Sequence, residues 1–339
     1  MDKPFYYKCK GRDIVVNPDK TVKFLDDKSD DIEEKVVAFL SESFSIFGKN
    51  DGSRYIVTSF EVVKVEDYSD VIFDNMLHNF HVSEDVLDYC YYDNVFLEAV
   101  ICSLGNGNYW LRLYTNADYI ELPKDSSRIF ADLNLVTAID LSMFLTDNVM
   151  YATSMFLNMY YVRELDLSGF NLSLCGNIEY MFGHCKQLRN IIFNDKIICR
   201  NISTLSETFS GCCNLQKLDL RFILPNSLES ISYAFSGCHK LERIIFNEKP
   251  VFVSKLFVIE CFSGCTSLTD LDLNWLHCTD YLSPTEMFYG CSESMTVKCK
   301  NIMYWGSEVD KNDISIYFTE KYRNEIPTVY DLKMLADEC

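Results

Sequence analysis

Between residues 129 and 300 the hydrophobic positions recur with one long period. Phe130, Phe156, Phe182, Phe209, Phe235, Phe262 and Phe288 stand 26, 26, 27, 26, 27 and 26 residues apart. Three residues after each Phe comes Leu133, Met159, Cys185, Cys212, Cys238, Cys265 or Cys291, a position that reads as a buried hydrophobe. Six after it come Val136, Val162, Leu188, Leu215, Leu241 and Leu268, with Ser294 in the last copy. Nine and eleven after it come pairs such as Ile139/Leu141, Leu165/Leu167, Leu218/Leu220 and Leu271/Leu273. Residues two apart share one face of a strand, so each copy predicts a short strand with one buried face. Repetition at this period predicts a solenoid of seven coils, with parallel strands stacked about 4.8 Å apart. The Phe, Cys and Leu positions then form interior ladders, burying about five side chains per coil at roughly 1.5–3 kcal/mol apiece.

The flanking segments lack this period. Residues 1–128 are expected to form a separate α+β N-terminal domain. Alternating runs at 5–10, 13–16 and 21–25 predict a meander of strands. Ile32, Val36, Phe39, Leu40 and Phe47 fall on one side of a predicted helix. A strand is predicted over 55–65 and helices over 69–80 and 84–104, the latter capped by Ser83. Gly105 to Asn108 then break the chain before a strand at 109–114. Residues 301–339 are expected to close the array as a C-terminal capping segment, using Tyr304, Trp305, Ile316, Phe318 and Tyr322. The N-terminal domain is expected to seal the opposite end around Phe130.

The stretch 155–170, MFLNMYYVRELDLSGF, followed by Met181 and Phe182, resembles the BspA-like leucine-rich repeat family. That family's unit has the form MF-x-x-C-x-x-L-x-x-L-D-L-S-x-F, and the resemblance covers about residues 129–300. It implies a solenoid that binds proteins or host surfaces and carries out no catalysis.

Composition narrows the classes further. With 48% hydrophobic and 24% charged residues in 339, the chain has ample material for a core. No apolar run approaches the roughly 18 residues of a membrane helix, since Glu98 interrupts the run near Phe96. No membrane partner is expected. The first sixteen residues carry Asp2, Lys3, Lys8, Lys10, Arg12 and Asp13 and do not read as a secretory signal. Fifteen cysteines without such a signal, and without any CxxC pair, predict reduced thiols in a cytoplasmic protein with no zinc site. A net charge of −19 argues against direct nucleic-acid binding, which needs a surplus of Lys and Arg.

No phosphate loop, serine elbow or HExxH zinc motif occurs, so neither an enzyme nor a cofactor is expected. His78 and His81 lack further ligands at matching spacing, and the Asp270/Asp272 pair falls on the repeat's outward strand positions. Those outward positions run Asp140, Asp166, Ile192, Asp219, Ile245 and Asp272, with Ala138, Glu164, Asn190, Lys217, Arg243 and Asp270 beside them. Two isoleucines on a line facing solvent point to a protein-binding face. The candidate partner-binding set is therefore Asp140, Glu164, Asp166, Ile192, Asp219, Ile245, Asp272 and Trp275, the last as an aromatic anchor. The plainer account is that the Asp residues only discourage edge pairing. An alternative site is an acidic patch of Glu66, Asp67, Asp70, Asp74, Glu84, Asp85 and Asp88, within a stretch whose one base is Lys64. Such a patch suits a basic nucleic-acid-binding enzyme as partner. It fits an inhibitor of the anti-CRISPR kind that a phage encodes against host defence.

Overall fold

The computed structural model describes residues 5–9, 12–16, 22–24, 37–39, 57–66, 76–81, 97–105, 108–225, 228–249, 251–283, 286–292 and 295–298. Among them every regular element is a strand: β1 (Phe5–Cys9), β2 (Arg12–Val16), β3 (Val22–Phe24), β4 (Val37–Phe39), β5 (Val57–Lys64) and β6 (Met76–His81). Next come β7 (Leu97–Gly105), β8 (Asn108–Thr115), β9 (Tyr119–Glu121), β10 (Phe144–Leu145), β11 (Glu164–Leu167) and β12 (Asn190–Phe193). The rest are β13 (Lys217–Asp219), β14 (Arg243–Ile245), β15 (Val251–Phe257), β16 (Asp270–Asp272), β17 (Leu276–Ser283) and β18 (Thr296–Lys298).

Strands β1, β2 and β3 form the expected antiparallel meander. Strands β5, β8, β7 and β6 make a four-stranded sheet in that order, parallel only between β5 and β8. It corrects the helices predicted over 69–80 and 84–104 where they overlap β6 and β7. Strand β7 carries the β-branched pair Val100 and Ile101, and it lies antiparallel against β8. Leu97 and Ala99, two apart, are buried in the same core as Leu111 and Leu113 of β8. That is a strand's periodicity, and pairing with β8 satisfies it. Part of the helix predicted around Val36 to Leu40 is likewise strand, β4, parallel to β9. The remainder of these segments and all of residues 301–339 lie outside the described residues.

The repeats stack as the period requires. The rings of Phe130, Phe156, Phe182, Phe209, Phe235, Phe262 and Phe288 form one continuous ladder, all fully buried. Successive centroids lie between 5.3 and 5.8 Å apart, with interplanar angles of 4° to 15°. Coil geometry begins earlier than residue 129: β9 pairs in parallel with β10, and the Ser126 amide donates to the Tyr151 carbonyl at 2.9 Å. Phe60 of β5 meets Phe130 at 6.0 Å, so one face of the four-stranded sheet continues the array's core, while Val100 and Tyr114 form a separate small cluster with Val63, Val65 and Trp110.

Two features explain the residue types around each Phe. Positions two before and two after it have positive φ throughout, from Arg128 and Asp132 to Glu286 and Gly290. In the later coils the second of these is Gly211, Gly237, Gly264 or Gly290, for which this conformation carries no steric penalty. The cysteine three residues after Phe does more than fill space. Its thiol donates to the carbonyl of the preceding coil's Phe: Cys185 to Phe156, Cys212 to Phe182 and Cys238 to Phe209 at 3.1 Å. Cys265 and Cys291 repeat the contact at 3.2 and 3.0 Å. A small apolar side chain with one weak donor fits an otherwise apolar interior.

The alternation of 26 and 27 residues has a structural counterpart. Across each 26-residue step from Phe156 onward the strands form a parallel ladder: β11–β12, β13–β14 and β16–β18. Across the 27-residue steps β12 forms no ladder with β13, nor β14 with β16. The extra residue falls after the strand, since Phe193 precedes Phe209 by 16 residues whereas Leu167 precedes Phe182 by 15.

Candidate protein-binding groove on the strand face

The outward strand positions first have to be separated into those that hold the turn and those that are free of it. Asp140, Asp166, Asp219 and Asp272 each accept the backbone N–H two residues on, at 2.9, 2.9, 3.1 and 2.9 Å. These are Asx turns, which aim the chain into the next side of the coil; Asp219 and Asp272 are the last residues of β13 and β16, Asp166 lies one residue before the end of β11, and Asp140 lies in no strand. Hydrogen bonds from Ser168 hold the Asp166 carboxyl below the usual carboxylate range. At Ile192 and Ile245 the aspartate is missing because the turn has moved two residues on. There Asn194 accepts from the Lys196 amide at 3.1 Å, and Asn247 from the Lys249 amide at 3.0 Å. The strand residue is thereby released from turn duty, and a hydrophobe occupies it.

What each released isoleucine does depends on its surroundings. Ile245, paired in register with Asp219, is half-buried. Ile192, paired with Asp166, is 47% exposed. Beside it, at the unladdered junction of β12 and β13, lies a groove of about 530 Å³. Its apolar lining is Ile191, Ile192, Phe193, Ile198 and Phe222, and its rim is Asp195, Asp219, Arg221 and Asn247. The floor is rigid because Phe193 packs on Phe222 with ring centroids 4.4 Å apart. Ile198, in the lengthened segment after β12, is 38% exposed. On the rim the Arg221 Nε donates to both oxygens of Asp219 at 3.0 Å, and this pairing holds the Asp219 carboxyl below the usual range. The Asn247 amide donates to the Arg221 carbonyl at 2.5 Å and ties the next coil into the same rim.

Of the sequence-predicted positions, Ile192 and Asp219 line this groove. Asp140, Glu164, Asp166 and Asp272 are exposed along the same strand face and lie outside the groove lining. Trp275 is corrected from surface anchor to core residue: it is 7% exposed and stacks on Phe246 at 4.5 Å. It repeats at the β14–β16 junction the packing that Phe222 makes on Phe193. From the acidic patch, Glu66 is exposed at the end of β5, while Asp67, Asp70, Asp74, Glu84, Asp85 and Asp88 lie outside the described residues. Among the described residues no three His, Cys, Asp or Glu side chains converge as a metal site. Ile198, Asp195, Arg221 and Phe222 were missed by sequence reasoning because they sit in segments that vary between coils. The 27-residue step was the available signal for Asp195 and Ile198; Arg221 and Phe222, in a 26-residue step, had none.

Parallel ladders, a buried phenylalanine column and Asx turns define a leucine-rich-repeat solenoid. The family model for the BspA type leucine rich repeat region matches in six copies, over residues 107–221, 160–250 and 206–318. The chain belongs to that family. The match starts ahead of residue 129, in agreement with the coil geometry seen at β9. No curated protein and no solved structure resembles the chain closely enough to count as a match.

Proposed function

We propose that this chain is a non-enzymatic binding protein whose strand face holds a segment of a partner protein, with the groove beside Ile192 as its anchoring point. The single observation that carries this reading is the groove: exposed Ile192 and Ile198 over a fixed aromatic floor, framed by polar groups. Rigid concavities with an apolar floor and a few oriented polar groups are the usual form of a docking pocket. A repeat array offers such a pocket within a long contact face, and family membership supports protein interaction as the general role.

Covering one aliphatic side chain contributes about 1.5–3 kcal/mol, equivalent to roughly tenfold to a hundredfold in affinity. Replacing Ile192 and Ile198 together by Ser should therefore weaken partner capture by at least tenfold, while the fold stays intact because neither residue is buried. The measurement is affinity purification from the native source with wild-type and double-variant baits, followed by titration of the captured protein. Equal binding by the two baits would place the site elsewhere.

A further inference from the structure

One row of side chains bordering this groove runs against the charge of the rest of the chain. Lys217 and Arg243 are exposed and stand directly opposite one another in the β13–β14 ladder. Arg189, immediately before β12, is exposed at the same end of the strands. Like charges in register repel and weaken a sheet pair. Among the described residues none of the three forms an ion pair or a side-chain hydrogen bond. The neighbouring acids do not neutralise them. Glu164 is in register with Asn190, Asp270 is hydrogen-bonded by Thr296 Oγ1 at 2.9 Å, and Glu242 makes no ion pair with Arg243. In a protein of net charge −19, Lys217 and Arg243 hold, on the next two coils, the strand position two residues before the one Ile192 occupies, about 6.6 Å along the strand, and Arg189 stands three residues before Ile192.

We propose that the partner segment is acidic: an extended stretch that sets an aliphatic side chain over Ile192 and Ile198 and one or more carboxylates against Arg189, Lys217 and Arg243. This deepens the binding reading above and rests on it. The charge complementarity is local. The chain's overall negative charge repels acidic partners at long range, so only a segment that also fills the apolar groove is retained. The groove thereby acts as the filter against purely acidic chains, which gain the ion pairs without the apolar contact, and Lys217 and Arg243 select against uncharged apolar ones.

A displayed library of random twelve-residue peptides, panned on the full chain, tests this directly. The expected enrichment is Asp or Glu within two residues of Leu, Ile or Val. A synthetic peptide of the enriched type should bind, by fluorescence anisotropy, at least about tenfold more weakly to the Lys217→Glu/Arg243→Glu variant, and should weaken with rising salt. Enrichment of basic sequences, no enrichment, or an affinity unchanged by the double charge reversal would each overturn the proposal. So would binding of a single-stranded DNA 20-mer with the same variant sensitivity, which would assign the row to phosphates. The Ile192→Ser/Ile198→Ser variant separates the two readings. If it binds the acidic peptide normally while the charge-reversed variant does not, the groove reading fails and the acidic row stands. If the charge-reversed variant binds normally and the serine variant does not, the groove stands and the acidic segment is ruled out.

Discussion

At the scale of single residues the cysteines are the most informative. The repeat shows that position three after Phe is buried and small, but it does not show why a thiol is preferred to alanine or valine. The carbonyl of the preceding coil's Phe supplies the reason, and that acceptor is visible only once coils are stacked. Burial raises the thiols of Cys212, Cys238 and Cys265, and also those of two cysteines elsewhere in the coil: Cys175 is pushed up to about 11 and Cys199 up to about 12. The sign follows from linkage. The fold favours the neutral thiol, so its contribution is complete below the ordinary thiol value near pH 9 and is lost as pH rises toward the folded values. The urea midpoint should thus hold steady up to about pH 9 and fall by about pH 11, and Cys199→Ala should reduce that fall. A midpoint independent of pH over this interval would contradict the burial described. The aspartates of the strand face teach the opposite lesson. Asp140, Asp166, Asp219 and Asp272 looked like candidates for recognition, yet each accepts a backbone amide and holds a turn.

Among elements, the strands after Phe156 and each later Phe of the column were legible because alternation within a fixed period leaves little freedom, whereas the strand expected at Ile139 and Leu141 after Phe130 does not form. The strands at β6 and β7 were not. Apolar residues between 76 and 104 satisfy a helical spacing nearly as well, and only pairing with β8 decides between the two. The groove was half-legible: Ile192 and Asp219 stood out on the strand, while Ile198 belongs to the lengthened segment after β12, and Arg221 and Phe222 to the connection after β13. The extra residue in the lengthened steps also predicts unequal protection. Amides at the β12–β13 and β14–β16 junctions lack the ladder bonds present at β11–β12 and β13–β14. Hydrogen exchange read by mass spectrometry should find peptides spanning the two junctions exchanging faster than those spanning the ladders. Uniform protection along the strand face would show that the junctions are as tightly joined as the rest.

For the molecule as a whole, stability is carried by neighbour-to-neighbour contacts along a line, with one core running from Val57 to Val297. Phe209 lies fourth of seven in the ring column, stacked at 5.3 Å on Phe182 and at 5.6 Å on Phe235. Phe209→Ala should cost about 3–5 kcal/mol and split the array energetically, so that urea unfolding becomes broader or biphasic by circular dichroism. A single sharp transition of unchanged slope would mean the ends communicate by some other route. The lengthened steps bear on ancestry as well. From Asp166 onward Asp-bearing strands alternate with Ile-bearing ones, so the unit of that part of the face is two coils, 53 residues from Phe156 to Phe209 and again from Phe209 to Phe262. Gene duplication by that unit lengthens the protein and copies the pocket in phase. Duplication by one coil alone puts an aspartate where an isoleucine stands, and the scaffold persists while the register of the groove's lining is lost.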